Sequence, residues 1–294
     1  PTRPLNRTDM HYTHLISADQ LKALQASGAP LLVFDCSSEL GNPDKADAMF
    51  AEKHIAGAVQ AHLERDLSAH DPANAVNGGR HPLPKRELFA QTLQALGFDN
   101  AMQAVVYDRN GANYCGRLWW MLKWAGHDAV AVLDGGLQAW EAAGAVGSGP
   151  PPRRARGQFS LKPALRRLVH TDEVLQQLGR PTQTLIDARG AARYRGETET
   201  LDPVAGHIPG ALNRPFTDNL GADGRFKPRE QLQAEFDALL AGRDAVGVVH
   251  HCGSGVSAVP NVLAMELAGY PPDALYGGSW SEWSRTPGLP MAQG

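Results

Sequence analysis

The hydrophobic pattern along the chain alternates between short apolar runs and longer segments with helical spacing. Four continuous apolar runs are typical of strands buried on both faces: LLVFD, AVVYD, TLID and VGVVHH. Four other segments repeat their apolar residues at helical intervals: LFAQTLQAL, GRLWWMLKWAG, LQAEFDALL and VPNVLAMELAG. Strand–helix alternation of this kind predicts an α/β fold with mostly parallel sheets flanked by helices.

The pattern also occurs twice. HIAGA at 54–58 recurs as HIPGA at 207–211, and DGGLQAW at 134–140 matches GGSWSEW at 277–283. The second pair is offset by 143 residues, which is too long a period for a solenoid and indicates a duplicated domain.

A segment rich in Pro, Gly and Arg, SGPPPRRARG at 148–157, has the composition of an exposed interdomain linker. We therefore predict an N-terminal domain at 1–147 and a C-terminal domain at 158–294.

Amino-acid composition and net charge argue against some classes of function. The 294 residues are 43% hydrophobic and 20% charged, typical of a soluble globular protein, and the net charge of −3 argues against nucleic-acid binding. Because no apolar run reaches 18 residues and the first residues resemble no targeting signal, we expect a cytoplasmic protein without a membrane partner. Three cysteines form no disulfide framework, and adjacent His250 and His251 point to opposite strand faces, so we expect no metal.

The segment VVHHCGSGVSA places Cys252 between a predicted strand and a predicted helix, where ligands bind in parallel α/β folds. Gly253 and Gly255 let the backbone curl tightly and turn its N–H groups inward, and the next helix adds unpaired N–H groups. We predict an anion cradle for a Cys252 thiolate, a persulfide or a charged substrate group. A half-buried, inert cysteine is the alternative.

Two comparisons sharpen this prediction. Cysteine phosphatases have the pattern C-x5-R, but the sixth residue after Cys252 is Ala258, which argues against phosphatase activity. At the offset of 143, Cys252 aligns with Arg109, and Cys115 lies later, at a predicted helix start. We expect chemistry only in the C-terminal domain, with Cys36 and Cys115 as buried structural thiols.

Together, the duplication, GHIPGA, the CGSGVSA loop and the GSWSEW ending resemble two-domain rhodanese-fold sulfurtransferases, over about residues 13–285. The resemblance implies two tandem rhodanese-like domains and sulfur transfer through a persulfide on Cys252, without a cofactor, because sulfur itself is the carried group. The loop is similar to the uncharged C-G-S-G-V-T of the mercaptopyruvate type rather than the basic C-R-K-G-V-T of the thiosulfate type, with Ser257 in place of Thr. It therefore implies a small, uncharged site for 3-mercaptopyruvate, which would leave as pyruvate.

The resemblance also implies substrate-binding residues. Arg193 in GAARYRG matches the family arginine that pairs with the substrate carboxylate, and the cradle residues Gly253, Gly255, Val256 and Ser257 would contact the donor. A second family arginine, in EPR, is missing from the corresponding segment ETETLDPVAGHIPG. The two candidates to replace it are Arg80 and Arg109.

A Ser–His–acid proton relay is attributed to the mercaptopyruvate type. Ser254 matches its serine, and His81 in GGRHPLP matches its histidine, although a loop histidine with one backbone hydrogen bond is the alternative. The acid would be Glu64 or Asp66, of which we choose Glu64.

The resemblance implies a small-molecule donor, 3-mercaptopyruvate or thiosulfate. The acceptor would be a thiol, such as reduced thioredoxin or a small thiol, or cyanide. Two alternatives stay open: a thiosulfate:cyanide sulfurtransferase, and a non-catalytic sulfur-relay or binding module.

Overall fold

A computed structural model describes residues 11–294 of the chain. Within these residues, two five-stranded sheets and one two-stranded sheet are present. The strands are β1 (Leu15–Ile16), β2 (Leu31–Asp35), β3 (His54–Ile55), β4 (Val59–Gln60), β5 (Gln103–Tyr107), β6 (Val130–Leu133), β7 (Val146–Gly147), β8 (Arg167–Val169), β9 (Thr184–Asp187), β10 (Leu212–Asn213), β11 (Val248–His251) and β12 (Ala274–Tyr276). The α-helices are α1 (Ala18–Ala26), α2 (Asp44–Glu52), α3 (Arg86–Ala95), α4 (Cys115–Trp124), α5 (Gly136–Glu141), α6 (Thr171–Gln176), α7 (Ala191–Tyr194), α8 (Arg229–Leu240), α9 (Val259–Ala268) and α10 (Ser279–Trp283).

The two large sheets have the same strand order. The first sheet runs β1-β6-β5-β2-β4, and the second runs β8-β12-β11-β9-β10. Each strand of the second sheet thus takes the place of its repeat counterpart in the first. All neighbouring strands in both sheets are parallel. The predicted α/β class and the duplication are confirmed, while β3 and β7 form a small antiparallel pair apart from the large sheets.

Both faces of each large sheet are buried, which explains the continuous apolar runs. In β9, Leu185 packs into the core on one face and Ile186 into the core on the other. Val249 and Val248 of β11 alternate in the same way. Since side chains alternate along a strand, a strand covered by helices on both faces needs apolar residues at every position.

Helix α9 begins directly after the cysteine loop. Pro260 lies in its first turn, where the missing N–H breaks no helical hydrogen bond, and Gly269 ends the helix in a left-handed conformation at φ +99°. The N-terminus of α9 therefore lies beside Cys252, as the sequence predicted.

The two halves share one apolar core. Leu118 and Trp120 of α4 belong to the same buried cluster as Val259 and Val262 of α9. The helices approach closely because Gly116 has no side chain: a Cβ there would lie 3.3 Å from Cγ1 of Val259. This packing brings loops of the first half onto the cysteine loop of the second.

The predicted linker at 148–157 contains no helix or strand. The chain after it still packs on the first half, because Phe159 is buried beside Phe98 and the N–H of Ser160 donates to Oδ1 of Asn100 at 2.7 Å. The second sheet begins at β8, and the exact domain boundaries stay a prediction. In residues 11–294, every helix is too short or too polar to cross a membrane.

Candidate active site

Cys252 lies at the carboxyl end of β11, the middle strand of the second sheet, and is only 1% exposed. Its backbone is held on both sides: the N–H donates to Oγ of Ser279 at 3.1 Å, and its carbonyl accepts from the N–H of Trp280 at 3.0 Å. Ser279 has a positive φ of +54°, which a non-glycine residue rarely adopts. Ser279 is thus a positioning residue that the sequence did not reveal, although its repeat counterpart, Gly136, also has a positive φ.

The cysteine loop forms an amide cradle. Within the described part of the chain, the six backbone N–H groups of residues 253–258 donate to no other protein group. Gly255 has φ +76°, and a Cβ there would lie 2.4 Å from the carbonyl oxygen of Gly277, so only glycine fits. Unpaired amides in a loop of this kind are free to donate to an anion.

A cavity of about 240 Å³ opens above Cys252, and both halves of the chain line it. Of the loop residues predicted to contact the donor, all except Gly255 line the cavity. Gly255 lies instead against Gly277, where it shapes the turn. The others are Gly253, Ser254, Val256 and Ser257. Their contact with a donor stays a proposal.

The predicted relay residues form a connected chain. Ser254 Oγ lies 2.7 Å from Nδ1 of His81, and Nε2 of His81 lies 3.0 Å from Oε1 of Glu64. The other oxygen of Glu64 lies 2.8 Å from Nε2 of His70, which is exposed. Asp66 is turned away and accepts from the N–H of His62, so Glu64 is the acid in contact with His81.

The protonation state of this chain follows from its surroundings. Burial lowers the pKa of His81, which keeps the ring neutral, while the hydrogen bond to His81 lowers the pKa of Glu64 to about 2. A carboxylate only accepts hydrogen bonds, so Nε2 carries the ring proton and donates to Glu64. Nδ1 is then free to accept the hydroxyl proton of Ser254.

Three arginines surround the cysteine loop, so the expectation of an uncharged site is wrong. A Cβ on Gly253 would lie 3.0 Å from Nη2 of Arg80 and 3.6 Å from Nη1 of Arg193, and Arg189 also lines the cavity. The loop itself is uncharged, but other segments supply the charge. Of the two candidate replacements for the missing arginine, Arg80 lies in the cavity, whereas Arg109 donates to the carbonyl of Met49.

Each of these guanidinium groups forms an ion pair with one or more carboxylates. Nη2 of Arg193 donates to both oxygens of Glu199, at 2.9 and 3.0 Å, and lies 3.3 Å from Asp202. Asp202 also accepts from Arg80 at 2.7 Å. Arg189 forms a two-pronged ion pair with Asp187, as a structural ion pair would.

A fourth arginine, Arg117 of α4, joins the relay to the cysteine loop. It is 1% exposed and donates to the carbonyl oxygens of Leu67, His81 and Gly255. Among residues 11–294, no carboxylate pairs with it. Burial lowers its pKa to about 10, which still leaves it charged at neutral pH. Nothing in the sequence distinguishes this residue, which reads as one position in a helix.

Family comparison identifies the fold. A model described as the rhodanese-like domain matches residues 17–143 and again residues 170–286. The chain belongs to the rhodanese family.

The relatives carry names of both donor types. A probable 3-mercaptopyruvate sulfurtransferase from Pseudomonas aeruginosa is 46% identical over 97% of this chain and 100% of its own length. A thiosulfate sulfurtransferase from Gallus gallus is 33% identical over 92% of each chain. The solved structure of 3-mercaptopyruvate sulfurtransferase from Leishmania major aligns with a TM-score of 0.80 at 29% identity, covering 96% of this chain and 76% of that one.

The two rhodanese domains differ at the equivalent loop. In the first domain, the carboxylate of Asp108 accepts from the backbone N–H groups of Asn110, Ala112, Tyr114 and Cys115, at 2.8 to 3.1 Å. That cradle is filled by its own side chain, whereas the second is open above Cys252. Burial also raises the pKa of the thiols of Cys36 and Cys115 well above the usual value.

The adjacent histidines of the second rhodanese domain do not join Cys252 in a metal site. His250 Nε2 lies 3.1 Å from Oδ2 of Asp273, and His251 is buried. Among residues 11–294, no group of three His, Cys, Asp or Glu side chains is placed to hold a metal ion.

Proposed function

We propose that this rhodanese-family chain is a sulfurtransferase that takes sulfur from 3-mercaptopyruvate onto Cys252 and releases pyruvate. The observation that carries the proposal is one cavity lined by a thiol, by its open amide loop, and by Ser254 and His81, with Glu64 hydrogen-bonded to the far side of His81. The relative from Pseudomonas aeruginosa, similar over its whole length, supports the same donor.

In the first step the Cys252 thiolate attacks the thiol sulfur of 3-mercaptopyruvate. An S–S bond forms, the C–S bond breaks, and its electron pair leaves as the enolate of pyruvate. Arg193 and Arg80 bind the donor carboxylate from two sides of the cavity, a task that suits planar guanidinium groups.

The enolate must gain a proton before pyruvate can leave. The new persulfide carries the proton of the donor thiol and loses it, because the open amides stabilise the persulfide anion. Ser254 takes up the persulfide proton and passes its own hydroxyl proton to Nδ1 of neutral His81, and the proton then returns through Ser254 to the enolate carbon. The thiolate is thereby converted to a persulfide anion with no net change in charge.

In the second step an acceptor takes the outer sulfur and restores the Cys252 thiolate. Cys252 is buried, so the acceptor sulfur or carbon must enter the same cavity. We propose a thiol acceptor, either a small thiol or reduced thioredoxin, with cyanide as a laboratory substitute.

Thiosulfate is the second candidate donor. The three cavity arginines favour an anionic donor, and the relative from Gallus gallus is a thiosulfate sulfurtransferase. The relay favours 3-mercaptopyruvate, because sulfite is a weakly basic leaving group and needs no proton, whereas an enolate carbon does.

Donor comparison tests the proposed function. We expect kcat/KM to be higher for 3-mercaptopyruvate than for thiosulfate, with pyruvate formed, and mass spectrometry to find one added sulfur atom on Cys252 after donor treatment. A higher kcat/KM for thiosulfate would reject 3-mercaptopyruvate as the preferred donor. An unchanged mass after treatment with either donor would reject the covalent sulfur transfer itself.

Replacing His81 tests the relay. His81→Gln is expected to lower kcat/KM for 3-mercaptopyruvate by about 100-fold, with a much smaller loss for thiosulfate, because one proton-transfer group is removed. The working ring is neutral and its pKa is lowered by burial, so wild-type turnover should fall only as the pH drops through that lowered pKa. This acid limb should disappear in His81→Gln.

His127→Gln is the matched control, because His127 is also a buried histidine but hydrogen-bonds to the carbonyl of Ala129 and does not line the cavity. It should keep the wild-type donor preference. Equal losses with both donors in His81→Gln would instead indicate a structural role for His81.

A further inference from the structure

The segment that would carry the second family arginine carries two buried carboxylates instead. Glu199 and Asp202 lie in ETETLDPVAGHIPG, with side chains 5% and 0% exposed. Neither lines the cavity itself; both contact the arginines that do.

Each arginine that lines the cavity lies in ion-pair contact with one or both of these acids. Arg193 pairs with both Glu199 and Asp202, Arg80 pairs with Asp202, and Arg189 lies 3.7 Å from Glu199 besides its pair with Asp187. Asp202 also accepts from the more exposed Arg285 at 2.7 Å. We call these four arginines and three carboxylates the donor charge cluster.

The donor charge cluster has four positive and three negative side chains, so its net charge is one positive. Burial opposes the charge on Glu199, but the N–H of Leu201 and the guanidinium of Arg193 donate to it and hold its pKa below the usual value. The acid is therefore ionised at neutral pH, and its charge is felt strongly because the side chain is withdrawn from water.

We propose that Glu199 and Asp202 set the donor specificity of this site, by reducing the positive charge around the cavity to a level that suits a donor with one negative charge. The inference rests on the proposed sulfur transfer and deepens it. A donor with a single carboxylate, such as 3-mercaptopyruvate, neutralises the cluster. The thiosulfate dianion overcompensates it and is repelled by the carboxylates behind the arginines.

The test is Glu199→Gln, assayed with both donors. The amide oxygen can still accept from the N–H groups of Leu201 and Asp202, which now donate to Oε1 at 2.8 and 3.1 Å, while the charge is lost. We expect the ratio of kcat/KM for thiosulfate to kcat/KM for 3-mercaptopyruvate to rise about tenfold, since the dianion gains the added attraction twice over. The change should appear mainly in KM for thiosulfate.

Glu197→Gln is the matched control. Glu197 lies in the same segment and has the same charge, but it is exposed and pairs with Arg195, which does not line the cavity. Its variant should keep the wild-type ratio. Asp202→Asn should shift the ratio in the same direction as Glu199→Gln, and a thermal melt shows whether the loss of three arginine contacts leaves it folded.

An unchanged donor ratio in Glu199→Gln, or an equal shift in Glu197→Gln, would overturn the inference. The proposed function fails in a different way, through absence of the persulfide or through wild-type preference for thiosulfate. A general loss of packing would lower kcat/KM for both donors together and leave the ratio unchanged, which also counts against the inference.

Discussion

Cys252→Ser is expected to lower sulfur transfer by about 10⁴-fold or more, because the persulfide cannot form without the sulfur nucleophile. The serine hydroxyl fits the same space under the open amides, so the fold and the cavity should be kept. The measurements are kcat/KM with 3-mercaptopyruvate and the mass of the protein after donor treatment. The variant should form no pyruvate above background and gain no sulfur atom.

Cys36→Ala supplies the control, since Cys36 is also a buried thiol but belongs to the first domain, and burial raises its pKa well above the usual value. It should be loaded with sulfur and turn over like the wild type. Full turnover by Cys252→Ser, or loss of the added sulfur in Cys36→Ala, would contradict the assignment of Cys252 as the sulfur carrier.

The duplicated fold explains why we expect a single sulfur carrier. In both domains a loop follows the middle strand of a parallel sheet, and several of its backbone N–H groups donate to no backbone carbonyl. In the first domain the carboxylate oxygens of Asp108 accept from four of those N–H groups. In the second domain the cradle is open and a thiol lies beneath it. The same backbone geometry therefore has a structural role in one half and suits group transfer in the other.

Local sequence was enough to predict the strands, the main helices and the position of Cys252. These features depend on residues close together in the chain, as in the alternating burial of Val248 and Val249 and the required glycine at 255. The relay was also predicted, because Ser254 and His81 each matched a family motif. Glu64 was chosen over Asp66 from the sequence, and the physical reason comes from the structure, which turns Asp66 toward the N–H of His62.

The charge of the cavity could not be predicted locally. Arg80 reaches the cysteine loop only because α4 and α9 pack together and bring the two halves into contact. The loop sequence CGSG correctly predicts an uncharged turn. The charge of a cavity, however, is the sum of the charges on every segment that lines it. Glu199 and Asp202, which pair with these arginines, come from yet another segment. In the sequence, that segment stood out only because it lacks the second family arginine.

Arg117 shows the same limitation most clearly, because its contacts come from three separate parts of the chain. Its guanidinium donates to the carbonyls of Leu67, His81 and Gly255, at 2.8, 2.8 and 3.2 Å. One group thus fixes the backbone of the relay histidine relative to the turn of the cysteine loop. Its charge, without a carboxylate partner among residues 11–294, also attracts the Cys252 thiolate.

Arg117→Met is expected to lower kcat/KM for 3-mercaptopyruvate by about 100-fold, because the relay and the thiol lose their common support. It should also lower the free energy of unfolding by about 3 kcal/mol, since buried carbonyls lose their donor. Arg117→Lys keeps the charge but has a single nitrogen. It should therefore restore the rate of iodoacetamide reaction with Cys252 at neutral pH more fully than it restores turnover. Wild-type alkylation and turnover in a folded Arg117→Met protein would exclude this positioning role, and a loss of stability alone would reduce Arg117 to a structural residue.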